Sequence, residues 1–154
     1  MRKLKEIINP EIVYLQGNTL VPSKSIAYKY DGEIEKNIVI EKASTHKFEN
    51  ELKEDLKKEL KNVNIFPTDK NVLVSIVHGI NSGTEYKKCD LDNRAKCILD
   101  ALKGVVYFDD SQVKMLWTHK AFIINSQESF FRISVKILDE EIIKRISSQI
   151  SRLI

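Results

Sequence analysis

The chain has 154 residues, of which 42% are hydrophobic and 31% are charged, and its net charge is +3. This length predicts one domain over residues 1–154, and the balance of apolar and charged residues predicts a globular rather than a disordered protein. No stretch reaches the roughly 20 apolar residues of a membrane helix, and residues 1–6 do not have the apolar core of a signal peptide. The two cysteines, Cys89 and Cys97, are typical of reduced thiols, so we expect a cytoplasmic protein.

The first half of the chain predicts strands on either side of one long helix. Residues 12–22 form the first predicted strand, and Asp31-Gly32 is expected to form a tight turn between two further strands. Between residues 48 and 63, apolar side chains recur every three or four positions among Glu and Lys, which predicts an amphipathic helix. The β-branched run at 72–80 is typical of a central strand.

The second half of the chain predicts two helices, two strands and one loop. In chain order these are a loop at 81–88, a helix at 92–103 that Gly104 ends, strands at 113–124 and 129–138, and a helix from 139 onward. The apolar stripe of the last helix is expected to cover the sheet or, alternatively, to extend a dimer interface. The whole order favours an α+β fold, in which a mixed or antiparallel sheet carries two to three packed helices.

Acidic residues cluster near both ends of the predicted helix at 92–103. Asp90 and Asp92 stand at its start, and because positions i and i+2 of an extended lead-in point the same way, both carboxylates can reach one cation. Lys96 follows one helical turn later. Carboxylates that lie close together stay ionised only beside positive charge, and hard divalent ions take oxygen ligands of this kind. Alternatively, the same spacing is that of ordinary surface residues of alternating charge, which form ion pairs along one side of a helix and take no part in a reaction.

Asp109 and Asp110 form a second acidic site after the helix. The preceding residues 105–108 are too apolar for a free loop, so the chain is expected to return against the helix after Gly104. Adjacent residues in extended backbone point to opposite faces, so one of the two aspartates is expected to join the first acidic pair. A plain Asp-Asp turn is the alternative.

One ordered string of residues runs through both acidic sites. It reads Asp90-x-Asp92-Asn93-x-x-Lys96-x-x-x-Asp100-Ala101-Leu102, then Gly104, Asp109-Asp110-Ser111-Gln112-Val113 and Lys120. This string resembles the signature of RusA-type Holliday-junction resolvases, which are small dimeric endonucleases, and the resemblance is dense over residues 87–120. Residues 21–24 resemble the segment after the family's first strand, though more thinly.

The resemblance implies a metal-dependent nuclease site. Asp90, Asp92 and Asp110 would hold Mg²⁺ or Mn²⁺ against a scissile phosphate, and the metal would activate the attacking water. Lys96 would stabilise the extra negative charge of the transition state or fix that water. The family pattern favours Asp110 over Asp109 as the essential carboxylate, and it implies products with a 5′-phosphate and a 3′-hydroxyl.

Further polar residues near the string are expected to have supporting roles. Asn93 is expected to hydrogen-bond a ligand carboxylate, and Asp100 is expected to orient the catalytic lysine rather than to bind metal. Lys87 and Lys88 suit contacts with DNA phosphates, or are ordinary solvated lysines. Lys120 matches a basic family position and is expected to contact DNA or to neutralise the acidic pocket.

The function predicted from these residues is a structure-selective, divalent-metal-dependent endodeoxyribonuclease that resolves four-way DNA junctions in recombination and repair. The resemblance implies a homodimer, since paired nicks need two active sites, and Trp117 is expected in the core or at a dimer contact. Two alternatives stay open, namely a nuclease with broader specificity for branched DNA and a branched-DNA-binding module without catalysis. Because a pure binder gains nothing from acids that face phosphates, the acidic residues favour the enzyme.

Overall fold

A five-stranded mixed sheet lies at the centre of the fold. The computed structural model describes residues 3–4, 12–24, 27–31, 36–40 and 43–152. Its strands are β1 (Lys3–Leu4), β2 (Ile12–Gly17), β3 (Ala27–Asp31), β4 (Lys36–Ile40), β5 (Val72–Ile80), β6 (Val113–Phe122) and β7 (Phe130–Ile137). The large sheet has the order β1-β2-β7-β5-β6, and β3 and β4 pair separately as an antiparallel ribbon.

β6 lies at one edge of the large sheet. It pairs in parallel with β5, whereas the other neighbours in this sheet are antiparallel. A parallel pair requires a crossover connection, and residues 81–112 supply it with helices α2 (Gly83–Lys88) and α3 (Leu91–Leu102). The crossover therefore returns the chain from the end of β5 to the level at which β5 begins, and it carries both acidic groups of the motif.

Helices α1 (Ala43–Leu60) and α3 pack together and share one hydrophobic core with the sheet. Val72 and Ile76, at alternate positions of β5, are fully buried in this core. They lie in one cluster with apolar residues of both helices, such as Leu52 of α1 and Ile98 of α3. Burial of apolar surface, at about 25 cal/mol per Å², is the main force that holds α3 in place. The position of its first turn is therefore set by the core.

The fold class predicted from the sequence is confirmed, with local corrections. β5 has the predicted bounds, and Gly104, with a φ of 77°, ends α3 as expected. The predicted loop at 81–88 is wrong, because α2 occupies most of it and the Ser82 side chain caps this helix by accepting a hydrogen bond from the N–H of Glu85 over 3.3 Å. The first strand ends earlier than predicted, at Gly17.

Two further elements differ from the prediction or lie partly outside the described residues. α1 begins and ends earlier than the predicted helix at 48–63. β3 and β4 pair as antiparallel neighbours, which is the arrangement that the predicted Asp31-Gly32 turn requires. Gly32 itself lies outside the described residues.

The last helix, α4 (Glu140–Ile150), begins where the sequence predicts. The side chain of Asp139 caps it by accepting a hydrogen bond from the N–H of Ile142 over 2.6 Å. Ile142, Ile143 and Ile146 are half-buried. That the apolar stripe of this helix covers the sheet, or extends a dimer interface, stays a prediction. Among the described residues, no helix is both long and apolar enough to cross a lipid bilayer.

Candidate active site

Asp90 lies at the residue where α3 begins. Its backbone is extended, with φ −84° and ψ 106°, and its carbonyl accepts the first helical hydrogen bond, from the N–H of Arg94. The carboxylate does not cap the helix; instead it accepts a hydrogen bond of 2.5 Å from Nδ2 of Asn93. Asn93 thus supports a carboxylate of the motif, as expected. The positive end of the helix dipole also favours negative charge at this position.

Asp92 lies in the first turn of α3, with its side chain exposed and next to that of Asp90. The hydrogen bond with the Asp90 carboxyl lowers the pKa of Asp92, and the backbone N–H groups of the same turn lower it further. Among the described residues, no lysine or arginine forms an ion pair with either carboxylate. Adjacent carboxylates without a basic partner are the donor set that a hard divalent cation prefers.

Lys96 lies one turn further along α3, on the same side of the helix as Asp92. Both side chains line an open cavity of about 450 Å³ between α3 and β6. The remaining walls of the cavity are mostly apolar and consist of Leu91, Ala95, Leu99, Leu116 and Thr118. In the part of the chain that the structure describes, Lys96 has no hydrogen-bond or ion-pair partner. Its ammonium group is therefore available to a phosphate.

Asp100 does not orient Lys96, contrary to the expectation from the sequence. Its carboxylate accepts a hydrogen bond of 2.5 Å from Nζ of Lys24, which also donates to Glu49 of α1 over 3.1 Å. Although partial burial opposes the charge on Lys24, the bonds to Asp100 and Glu49 raise the pKa of this lysine above its usual range. The backbone N–H of Lys24 donates to the carbonyl of Asn93 over 3.3 Å. The segment around Lys24 therefore ties α3 to α1.

Arg94 is a buried cation of the first turn of α3 that the sequence analysis missed. Its guanidinium donates to the carbonyl of Val21 and to the carboxylate of Glu85, the latter over 3.2 Å. It thereby joins α3 to α2 and to the segment after β2. The side chain is only 6% exposed. Arg94 shares a buried helix face with Ile98 and Ala101, and a charge at this spacing on an apolar stripe is the signal that would have found it.

Lys120 of β6 holds the chain at the entry to α3. Its Nζ donates to the carbonyl oxygens of Tyr86 and Cys89 over 3.0 and 2.9 Å. The ammonium group also lies 5.0 Å from the centroid of the Tyr86 ring, within the range of a cation–π interaction. Lys120 therefore has a positioning contact that the sequence did not predict, while its contact with DNA stays a prediction. Lys87 and Lys88 are exposed on the last turn of α2.

Asp109 and Asp110 lie at the other end of α3. Both face one ammonium group, since Nζ of Lys103 lies 3.0 Å from Oδ2 of Asp109 and 3.3 Å from Oδ2 of Asp110. Hydrogen bonds to the two carboxylates, that of Asp109 first, raise the pKa of Lys103. The backbone N–H of Ser111, followed by Lys103, lowers the pKa of Asp109. Unlike the first acidic pair, this pair has a basic partner.

The second acidic pair is fixed to the end of α3 by its neighbours. Tyr107 is fully buried, and its hydroxyl donates to the carbonyl of Leu99 over 3.0 Å. The amide of Gln112 accepts from two backbone N–H groups of the turn and donates to the carbonyls of Thr68 and Lys70, each over 2.8 Å. These bonds hold the turn at the C-terminal end of α3.

The structure does not bring Asp110 to Asp90 and Asp92 within one chain. α3 has 12 residues, so its two ends are roughly 18 Å apart, whereas a Mg²⁺ ion binds its ligands at about 2.1 Å. In the described ranges, no group of at least 3 His, Cys, Asp or Glu side chains is arranged to hold a metal ion. The expected three-carboxylate cluster is therefore wrong for an isolated chain. The role of Asp110 as a metal ligand stays a prediction.

A comparison with protein families finds one family that matches a range of the chain containing all of α3. A model described as Endodeoxyribonuclease RusA matches residues 9–137, which include α2, α3 and the strands from β2 to β7. The chain belongs to the RusA family. RusA proteins are endodeoxyribonucleases that act on Holliday junctions, so this RusA chain is a nuclease. α4 lies beyond the matched residues. No curated protein matches the chain.

Proposed function

We propose that this RusA-family chain is a divalent-metal-dependent endodeoxyribonuclease that resolves four-way DNA junctions by paired symmetric nicks in recombination and repair. The observation that carries the proposal is the exposed pair Asp90 and Asp92, which has no basic partner among the described residues and lies beside Lys96. Carboxylate oxygens of this kind fit Mg²⁺, or Mn²⁺ in its place. When bound, the metal lowers the pKa of a water molecule and offsets charge on the scissile phosphate.

The side chains of the protein position the carboxylates and supply positive charge to the phosphate. Asn93 holds the Asp90 carboxylate by a hydrogen bond of 2.5 Å, and Lys120 fixes the backbone that precedes it. Lys96 stabilises the negative charge that develops on the phosphate in the transition state. Because Lys96 is exposed and has no partner in the described part of the chain, it reaches the phosphate without breaking another contact.

Lys87 and Lys88 extend the site toward the DNA backbone. Both are exposed at the end of α2, just before Asp90. Contacts with phosphates supply affinity without reading the base sequence, and they release counterions. Junction binding should therefore weaken steeply as the salt concentration rises. A homodimer supplies the two active sites that symmetric nicks require.

A cleavage assay on a synthetic four-way junction tests this function. Each strand is labelled in turn, the wild-type protein is added with Mg²⁺, Mn²⁺ or EDTA, and a linear duplex and a flap of matched sequence serve as comparison substrates. We expect nicks at symmetric positions in two opposite strands, with 5′-phosphate and 3′-hydroxyl ends, only when a divalent metal is present. Equal cleavage of the flap would indicate a nuclease of broader specificity. Binding without any metal-dependent nick would contradict the proposal.

A further inference from the structure

Two aromatic rings lie at the surface close to the N-terminal end of α3. Phe122, the last residue of β6, is 45% exposed, and its ring packs on the ring of Tyr86 in α2. The ring centroids are 5.7 Å apart and the ring planes are tilted by 44°. Trp117, elsewhere in β6, is 57% exposed and so lies outside the core, while its place at a dimer contact stays a prediction. Phe122 therefore presents aromatic surface that the described fold does not bury.

Lys120 connects the ring pair to the first acidic pair. Its Nζ lies 5.0 Å from the centroid of the Tyr86 ring, and it donates to the carbonyl of Cys89, the residue before Asp90, over 2.9 Å. Phe122 lies two positions after Lys120 on the same strand, so both side chains point to the side of the sheet that carries the helices. The ring pair and Asp90 therefore lie on either side of one lysine.

The cavity that contains Asp92 and Lys96 lies on the same face of β6. Thr118 lines this cavity and stands four positions before Phe122, which corresponds to roughly 13 Å along the strand. Successive nucleotides of one DNA strand rise by about 3.4 Å, so this distance spans about four stacked nucleotides. A DNA strand whose phosphate lies at Asp92 therefore has bases within reach of the Phe122 ring.

The charges around the ring pair favour a nucleic acid as its occupant. Lys87 and Lys88 follow Tyr86 directly, and both are exposed at the end of α2. Proteins that bind single strands combine positive charge along the backbone with aromatic rings on which the bases stack. Here the lysines and the exposed ring occur together beside the acidic residues of a DNA-cleaving family. This combination favours a nucleobase over an apolar segment of another protein.

We propose that Phe122, supported by Tyr86, stacks on a base that is unpaired at the branch point of the DNA junction. The inference rests on the proposed function, because the base belongs to the strand whose phosphate the acidic pair binds. Each base inside a linear duplex is stacked on both sides, whereas a base that is already unpaired leaves the stack at the lowest cost. Every base offers a flat face to an aromatic ring. Phe122 thereby favours branched over linear DNA without reading the base sequence.

Measurements of binding in the absence of cleavage test this stacking subsite. The Kd values of a synthetic four-way junction and of a linear duplex of matched sequence are measured in EDTA. Phe122→Leu keeps an apolar side chain but removes the aromatic ring. We expect it to bind the junction about 10-fold more weakly than the wild type, the usual loss for one stacked base. Its affinity for the duplex should not change, and Phe122→Trp should keep the preference for the junction.

Junctions with abasic positions identify the base that stacks. Nucleotides around the branch point are replaced one at a time by abasic residues, and the Kd of each junction is measured for the wild type and for Phe122→Leu. One abasic position should weaken binding by the wild type as much as Phe122→Leu does. The same position should not weaken binding by the variant further, because the ring and the base form one interaction.

Ile124→Ala is the matched control, since Ile124 is 81% exposed just beyond β6 and has no ring. It should bind the junction like the wild type. The stacking subsite would be overturned by unchanged junction binding in Phe122→Leu, by equal losses for junction and duplex, or by an equal loss in Ile124→Ala. A change in the oligomeric state of Phe122→Leu would overturn it as well, because the ring would then lie between copies of the chain.

The same measurements separate this inference from the proposed function. Base stacking at the junction by a wild type that never nicks DNA would contradict the proposed function and leave the subsite intact. Metal-dependent nicking without any coupling between Phe122 and a base would contradict the subsite alone. Circular dichroism checks that each variant folds.

Discussion

The two ends of α3 carry the same acidic residue type in opposite electrostatic settings. At the N-terminal end, Asp90 and Asp92 contact each other, and no described basic residue pairs with them. At the C-terminal end, Lys103 bridges Asp109 and Asp110 at 3.0 and 3.3 Å. Carboxylates with a lysine partner are already stabilised, whereas an adjacent pair without one attracts a cation. The absence of a described basic partner, as much as the spacing of the two aspartates, therefore supports the proposal of a metal site at the N-terminal end.

Substitution of Asp92 should have the largest effect. Asp92→Asn removes a charge but keeps the shape of the side chain, so the single-turnover cleavage rate should fall by more than about 100-fold, because loss of a group that merely supports a ligand already costs about 10- to 100-fold. Junction affinity in a gel-shift assay should not decrease. Glu141→Gln, on the exposed face of α4, is the matched control and should cleave normally. Parallel loss of binding and cleavage in Asp92→Asn would indicate a folding defect rather than a lost ligand.

Substitution of Lys96 should have the second-largest effect, because this lysine stabilises the negative charge of the transition state at the same end of α3. Lys96→Ala should lower the single-turnover rate by about 100-fold, the usual loss for a group that stabilises transition-state charge. The affinity for the junction should change far less than the rate. Lys96→Arg keeps the charge and should recover part of the activity. Normal cleavage by Lys96→Ala would show that this lysine has no role in the reaction.

Substitution of Lys120 should slow cleavage less, because this lysine positions the backbone before Asp90 rather than supplying charge to the phosphate. Lys120→Met keeps the length of the side chain but loses the bonds to the carbonyls of Tyr86 and Cys89, so cleavage should slow by about 10-fold, as for other supporting residues. The affinity for the junction and its dependence on salt should stay the same. Weaker binding with a shallower salt dependence would instead assign Lys120 to a phosphate contact.

Substitution of Lys103 should have the smallest effect on cleavage. This result would distinguish the C-terminal end of α3 from its N-terminal end. Its ion pairs with Asp109 and Asp110 are exposed, and exposed pairs contribute little, so Lys103→Met should keep the cleavage rate within about threefold of the wild type. Thermal denaturation should be nearly unchanged. A loss as large as that of Lys96→Ala would show that Lys103 acts in the reaction itself rather than only pairing with the two carboxylates.

The features that could be predicted from the sequence are those that depend on residues close together in the chain. The β-branched run of β5 gave its bounds, and the spacing of apolar residues with Gly104 gave most of α3. The hydrogen bond from Asn93 to Asp90 joins residues only three apart, so it also followed from the order of the motif. α2 was missed because six polar residues form too short a helix to show periodicity.

Sequence reasoning failed where long-range packing decides the geometry. The chain returns to α3 after Gly104 as predicted, but Tyr107 binds the carbonyl of Leu99 and so places Asp110 at the end of the helix farthest from Asp90. The partner of Asp100 is Lys24, which lies 76 residues earlier in the chain. No local spacing indicates such a contact, because it depends on how the segment after β2 crosses α3.

Binding of Mn²⁺ tests most directly whether the N-terminal end of α3 is a metal site. The electron paramagnetic resonance signal of the free ion is followed as Mn²⁺ is added to a complex of protein and four-way junction, and the binding of DNA alone is subtracted. We expect the wild type to bind Mn²⁺ and the double variant Asp90→Asn, Asp92→Asn to bind none beyond the DNA itself. Equal binding of Mn²⁺ by the two proteins would contradict a metal site at this end of the helix.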